Sequence, residues 1–421
     1  MPKTHPKFNT DRHLLAMLDG LSDATVAGRL LTGNQAAPLQ LRDSSAQLPF
    51  HPPPGCDLKP GDIVSAVGQR IDDHFHAQRV TLLVRPPRPL PIPEPLPHVH
   101  RRAQMNHTLR TWFSNHDFIE VETPNLVLSP GTDVYLEAFS TQFTGLGPVA
   151  ARHLFLHTSP EFAMKRLLVS GHERIAQICK VYRNGEWTAT HNPEFTMAEW
   201  YRAFTDYTAV MADVEAIVRA VLGPAPRMVR GQEVHLDRPF EVMTVTEAFH
   251  RFCRGLDLWA ADTAEALREA SEQRGLGPLA PGGSWDDLFH ELLVTWVEPQ
   301  LGAPTPLFLV DYPAPLAVLS RRRDDDPRVA ERFELYIAGV ELCNGFTELN
   351  DPAEQRERFT EDLERRGALG LPTYPMPERF LRALEGGMPP SSGVALGLDR
   401  LLMIALGTEH LNDVLIRALH A

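Results

Sequence analysis

IAQICKVYRNGEWTATHNPEFTMAEWY, residues 175–201, reads as a strand, a polar loop and a returning strand, with Arg183 where the first strand ends. Alternation on the second strand puts Phe195, Met197, Glu199 and Tyr201 on one face. A glutamate beside a tyrosine is unexpected on a core face. Two readings of the hairpin stay open at this point. It can be an ordinary amphipathic pair with Arg183 in a surface salt bridge, or Arg183 can grip a phosphate through its planar guanidinium while Glu199 faces a cationic partner.

Two later segments repeat the choice. In GVELCNGFTELND (339–351), Glu341, Asn344 and Glu348 sit among apolar neighbours. Carboxylates held together repel unless a cation lies between them, so either a salt-bridge cluster or a magnesium ion with oxygen ligands fits. In SSGVALGLDRLLMIALG (391–407), strand alternation aligns Gly393, Ala395 and Gly397 into a flat strip that accepts either a packed element or a nucleobase, and Arg400 follows on an apolar helix. Upstream, Met105, Leu109, Trp112 and Phe113 fall on one face of a helix, and FIEVETP reads as a strand stopped by Pro124. Residues 205–300 read as largely helical, and DPAEQRERFTEDLERR as a helix capped by Asp351 whose charges form a solvated face. No regular βα alternation appears. The pattern therefore predicts an α+β domain with an antiparallel sheet over residues 98–421.

Seven prolines among the thirteen residues RPPRPLPIPEPLP (85–97) predict an extended connector. Before it, residues 24–31, 38–43, 46–50, 61–70 and 75–84 carry β character between turn residues, the pattern of a small barrel in residues 1–84. Residues 1–100 hold ten Lys or Arg and nine Asp or Glu, a net of +1 within a chain of net charge −13, so this part lacks the basic excess of a strong nucleic-acid module. The four cysteines are far apart without a CxxC pair, which suggests neither a zinc site nor a disulfide framework. With no long apolar run and no secretory signal, the sequence predicts a cytoplasmic protein without a membrane segment.

Taken in order, FIEVETPNLVLSPGTD, VYRNGEWTATHNPEFTMAEWY and GVALGLDRLLM resemble motifs 1, 2 and 3 of the class II aminoacyl-tRNA synthetases. TSPEFAMKRLL, HNPEFTMAEWY and ELCNGFTELND are similar to the lysine branch, and VAGR, LQLRD and PGDIV resemble a shortened OB-type anticodon-binding barrel. The resemblance implies an ATP-dependent enzyme that forms an aminoacyl-adenylate. It implies that Arg183 holds the α-phosphate and Arg400 the γ-phosphate, with Asn184, Gly185, Glu186, Asn192, Glu341, Leu342 and Gly397 around the nucleotide. Glu341 and Glu348 match magnesium positions. Ser159, Pro160, Glu161, Glu199, Tyr201, Asn344, Glu348 and Ala395 match the amino-acid pocket, whose acidity suits lysine or (R)-β-lysine. Motif 2 departs from the family pattern at RNGE, where Gly185 takes the usual glutamate position and Glu186 follows it.

Within this resemblance the acceptor is open. Ala395 stands where lysyl-tRNA synthetases typically carry glycine, and the catalytic segments are most similar to the ligases that attach lysine or (R)-β-lysine to elongation factor P. The N-terminal barrel keeps tRNA as an alternative acceptor, and a non-catalytic regulator is the lesser alternative. Motif 1 implies a homodimer by resemblance.

Overall fold

The computed structural model describes residues 13–19, 21, 23–33, 39–87, 97–145, 152–316 and 319–416. It forms two compact units that divide between Pro97 and His98. Residue 38 of the second expected strand and residues 88–96 of the proline-rich connector lie outside the described residues.

In the first unit, β1 (Ala24–Thr32), β2 (Leu39–Arg42), β3 (Gln47–His51), β4 (Ile63–Ile71) and β5 (His74–Val84) close into a barrel in the order β1-β2-β3-β5-β4. The pairs are antiparallel except β3 with β5, which run parallel through Phe50↔Phe75 and His51↔His76. Alternate residues Val26, Leu30, Leu41, Phe50, Val64, Ala66 and Phe75 fill the interior. This is the small barrel that the strand spacing predicted, and it fits the OB-like fold that the resemblance implied.

The second unit is built on an eight-stranded sheet that is mostly antiparallel, the α+β arrangement expected from the sequence. Its strands are β6 (Ile119–Glu120), β10 (Arg174–Tyr182), β11 (Glu194–Ala203), β14 (Glu241–Thr244), β15 (Leu307–Pro313), β16 (Val329–Ile337), β17 (Val340–Thr347) and β18 (Ser391–Gly397). They lie in the order β14-β15-β16-β17-β18-β11-β10-β6. Strands β7 (Leu126–Val127), β8 (Ser140–Phe143) and β9 (Arg152–Leu156) make a separate small sheet, and β12 (Arg227–Val229) pairs with β13 (Gln232–Val234).

One face of the large sheet is covered by α1 (Pro97–Asn115), α3 (Tyr207–Leu222) and α9 (Leu398–Leu406). Met105, Leu109 and Phe113 turn inward as the helix periodicity predicted, and the Phe113 ring meets fully buried Trp200 edge-on at 5.4 Å. Because side chains alternate, a strand that sends Trp200 into this core must send Glu199 and Tyr201 to the opposite face. That opposite face carries the site. Helices α4 (Val245–Phe252), α5 (Ala264–Gln273) and α6 (Trp285–Leu292) bury a second apolar cluster beside β15.

The structure departs from the sequence reading in three places. FIEVETP contributes only the two-residue strand β6. Residues 205–300 include β12, β13 and β14 as well as helices. In α7 (Pro352–Ala368) Asp351 is the cap, accepting from the amides of Ala353 and Glu354, but one face is not solvated. Arg358, Asp362 and Arg366 are buried there, because Arg366 donates to the carbonyls of Asp133, Val134, Leu136 and Pro372 and so fixes the loop after Pro130. The short helix α8 (Glu378–Glu385) packs behind it.

Candidate active site

Two cavities open on the exposed side of β11, β17 and β18. The first is lined by Gly131, Asp133, Ser159, Glu161, Glu199 and Tyr201 among others, and the second by Glu186, His191, Asn192, Glu341, Leu342, Gly397 and Arg400. Arg183, Met197, Asn344 and Ala395 line both. The registers explain this: Glu199 pairs with Ala395, Asn344 pairs with Ala395 from the other side, and Met197 pairs with Gly397.

The first cavity is acidic. Helix α2 (Glu161–Val169), entered through Pro160, presents Glu161 at its first turn and Lys165 one turn later on the same side. The Glu199 carboxylate accepts from Ser159 Oγ at 2.9 Å and from the Tyr201 hydroxyl at 2.6 Å. Lys165, fully buried, pairs with Glu161 Oε1 at 2.6 Å and with Glu348 Oε2. Burial and the Glu161 charge push the Glu199 carboxyl up to about 7. Burial, relieved by Lys165, leaves Glu348 raised to about 8. Glu161 and Glu348 keep Lys165 protonated against its burial. The glycine at 393 is required by packing, since a Cβ there would collide with the Tyr201 ring and the Glu348 carboxylate.

The second cavity is organised by Arg400. Its guanidinium donates to the Thr190 carbonyl at 3.1 Å, the Glu341 carbonyl at 2.8 Å, Glu341 Oε2 at 3.0 Å and His191 Nε2 at 2.7 Å. Burial lowers the His191 pKa and Arg400 lowers it further, so the imidazole is the neutral acceptor this geometry needs. Burial opposes ionisation of Glu341, but Arg400 prevails and holds its carboxyl below the usual carboxylate range. A Cβ at Gly397 would meet nothing nearer than 3.6 Å, so glycine here keeps open space rather than allowing close packing. Arg183 lies over the Phe195 ring at 5.1 Å and 3.8 Å from Glu186 Oε1, and its buried Nε has no hydrogen-bond partner.

Several sequence-predicted residues fall elsewhere. Glu341 and Glu348 do not meet. They stand seven residues apart along one extended segment, about 23 Å at 3.3 Å per residue, and each has its own cation, Arg400 and Lys165. The acidic neighbours of Glu341 are Glu334 and Glu298, joined through the Tyr336 hydroxyl at 2.7 Å and 3.1 Å. Burial and the charges of Glu334 and Glu341 push Glu298 up to about 7. Glu348 lies one layer beneath the first cavity rather than on its wall. Asn184 turns away to Glu137, donating from Nδ2 to Oε1 at 2.6 Å. Gly185 adopts φ +82°, a left-handed conformation that favours glycine, and it is Glu186 that reaches the cavity. Sequence reading passed over Lys165, His191, Glu298, Glu334 and Arg332. Arg332 holds Asn344 Oδ1 at 3.2 Å and Glu334 Oε1 at 2.6 Å. The i, i+4 spacing of Glu161 and Lys165 was the available signal for the first of these.

A sheet with this strand order, carrying an arginine-bearing hairpin, an acidic strand and a glycine strand around adjoining cavities, defines a class II synthetase core. The chain belongs to the class II tRNA synthetases of the D, K and N group, whose family model matches residues 96–417. Among its relatives, the elongation factor P–(R)-β-lysine ligase of Erwinia tasmaniensis is 43% identical over 316 residues, 75% of this chain and 93% of the relative. The ligases of the same name from Edwardsiella ictaluri and Pectobacterium atrosepticum are each 42% identical, over 76% and 75% of this chain and 94% and 93% of their own lengths.

The raised Glu199 pKa has a signed consequence. Protonation favours the empty fold, whose stability falls as pH rises from the ordinary glutamate range through about 7, whereas an ammonium ligand favours the carboxylate. Affinity of this cavity for an ammonium-bearing ligand should therefore weaken several-fold as pH is lowered from about 8 to about 6, with proton release on binding measurable by calorimetry in buffers of different ionisation enthalpy. Glu199→Gln should lose both the pH dependence and most of the affinity. Wild-type affinity that is flat over this range would contradict the assignment.

Proposed function

We propose that the chain activates lysine or (R)-β-lysine with ATP and transfers the aminoacyl group to a lysine side chain of elongation factor P. The observation that carries this reading is the junction of the two cavities at Arg183, Asn344 and Ala395, where an amino-acid carboxylate and an α-phosphate would meet. The carboxylate oxygen attacks the α-phosphorus in line, the bond from that phosphorus to the bridging oxygen breaks, and pyrophosphate leaves with the electron pair. Arg183, with a donor unsatisfied in the cavity wall, stabilises the charge that builds on the α-phosphate. Arg400 receives the γ-phosphate end, and Gly397 and Leu342 leave the floor open for adenosine. In the second step the neutral ε-amine of the acceptor attacks the acyl carbon, the bond from that carbon to the phosphate oxygen breaks with its electron pair leaving on AMP, and the nitrogen loses a proton to solvent to give the amide. No covalent bond to the enzyme is needed.

The donor set suits magnesium at one end only. Glu298, Glu334 and Glu341 concentrate more negative charge than Arg332 and Arg400 relieve, as the raised Glu298 carboxyl indicates. Glu341, with Glu334 beside it, would hold the ion, which when bound neutralises β- and γ-phosphate charge. The acidic first cavity selects a cationic side chain. The names of the three relatives and Ala395 at the cavity junction favour the protein acceptor and the β-amino isomer over tRNA charging. Incubating the chain with ATP, labelled (R)-β-lysine, purified elongation factor P and total tRNA should label the protein. Arg400→Ala should abolish this label in a folded chain. Label on tRNA alone would establish the synthetase alternative, and no label on either would leave a regulator.

This reading places the chain in the cytoplasm, where ATP and a translation factor are available, and the four unpaired cysteines suit that compartment. Among the described residues no helix is long and apolar enough to cross a membrane. A homodimer through motif 1 is supported by Ile119, Leu126, Leu128 and Tyr135, which are large apolar or aromatic side chains exposed along that segment. Leu126→Glu combined with Leu128→Glu should lower the sedimenting mass to that of a monomer. An unchanged mass, or a monomeric wild type, would refute this interface.

A further inference from the structure

The barrel carries a cluster that the synthetase reading does not use. Phe50 on β3 and Phe75 on β5 are fully buried in the barrel interior, so strand alternation sends their neighbours His51, His74 and His76 to the outer face. The parallel register pairs His51 with His76, and His74 stands two residues from His76 on the same face. The three rings are half-buried and stacked: His51 lies 4.5 Å from His76 with planes 8° apart, and 5.0 Å from His74 with planes 21° apart.

One ring nitrogen from each residue falls within 4.8 Å of the other two, and His51 Nε2 and His74 Nδ1 share a hydrogen bond at 2.7 Å. Three imidazole nitrogens around a tetrahedral ion with Zn–N of about 2.0–2.1 Å stand roughly 3.3 Å apart. That spacing falls between the two observed limits, so the nitrogens need shift only on the order of an ångström, while the stacked rings turn about their Cβ–Cγ bonds until their in-plane lone pairs converge. Among the described residues no other three His, Cys, Asp or Glu side chains converge this closely.

We propose that His51, His74 and His76 bind a divalent transition-metal ion of the zinc class, with solvent in the fourth position. Imidazole nitrogen suits zinc, copper and nickel, and it does not suit magnesium or calcium, which take oxygen ligands. The location gives the ion a mechanical role. Among the described residues β3 and β5 meet through two residue pairs, and this is the one parallel contact in the barrel. An ion bridging His51 to His74 and His76 would clip that seam shut and couple metal binding to barrel stability.

The test uses the full chain without a histidine tag, stripped with a chelator and titrated with zinc(II) against a chromogenic zinc indicator. A single equivalent should bind, cobalt(II) in its place should give the intense visible absorption of a tetrahedral site, and zinc should raise the barrel's unfolding temperature. The double variant His74→Asn with His76→Gln should lose all three responses, and His51→Gln, at the strand end, provides a second variant should the first fail to fold. Pyrophosphate exchange should be unchanged in both variants, so this test is separate from that of the proposed activity. No zinc uptake by the wild type, equal uptake by a folded variant, or displacement of zinc by equimolar magnesium would overturn the site.

Discussion

Lys165 is the charge on which the acidic first cavity depends. It is fully buried and holds Glu161 and Glu348, while Glu199 stands beside them with only hydroxyl donors. Three carboxyl groups thus share one protein cation. Burying a carboxylate without a partner is costly, and the raised pKa values of Glu199 and Glu348 express that cost in the empty molecule. A second ammonium would relieve the carboxyl groups that Lys165 does not neutralise. In the proposed activity, selectivity for a cationic amino acid follows from this charge deficit built into the fold, rather than from the shape of the cavity alone.

The sheet turns this local deficit into chemistry by placing it beside a different charge environment. Strand β11 sends Trp200 into the helical core and Glu199 and Tyr201 into the pocket, and β17 and β18 continue the same surface to Glu341 and Arg400. Along that surface the acidic cavity meets the cavity organised by Arg400 at Arg183, which lines both. Arg366 secures the loop that supplies Asp133 and Leu136 to the pocket wall, so a helix far away in sequence helps to set the pocket's rim.

Most of this architecture was legible in the residues. Short alternating strands between turns predicted the barrel, and the order of arginine hairpin, acidic strand and glycine strand pointed to the core. Chemistry that depends on long-range packing was not legible. Glu341 and Glu348 are near in sequence and have the look of a shared metal site, yet an extended strand separates them, and the true neighbours of Glu341 come from β16 and the Glu298 turn. The charges on α7 read as a solvated face because nothing in its own sequence shows that the loop after Pro130 crosses it. The three barrel histidines are divided between two strands that pair only after the chain has closed on itself.

The central claim is that, in the proposed reaction, a charge deficit adjoining the cavity of Arg400 selects the substrate. ATP–pyrophosphate exchange measured with lysine and (R)-β-lysine against norleucine, which keeps the chain length and lacks the ammonium, tests it most directly. Exchange with the cationic amino acids and none above background with norleucine is the predicted result. Comparable exchange with norleucine would contradict the account.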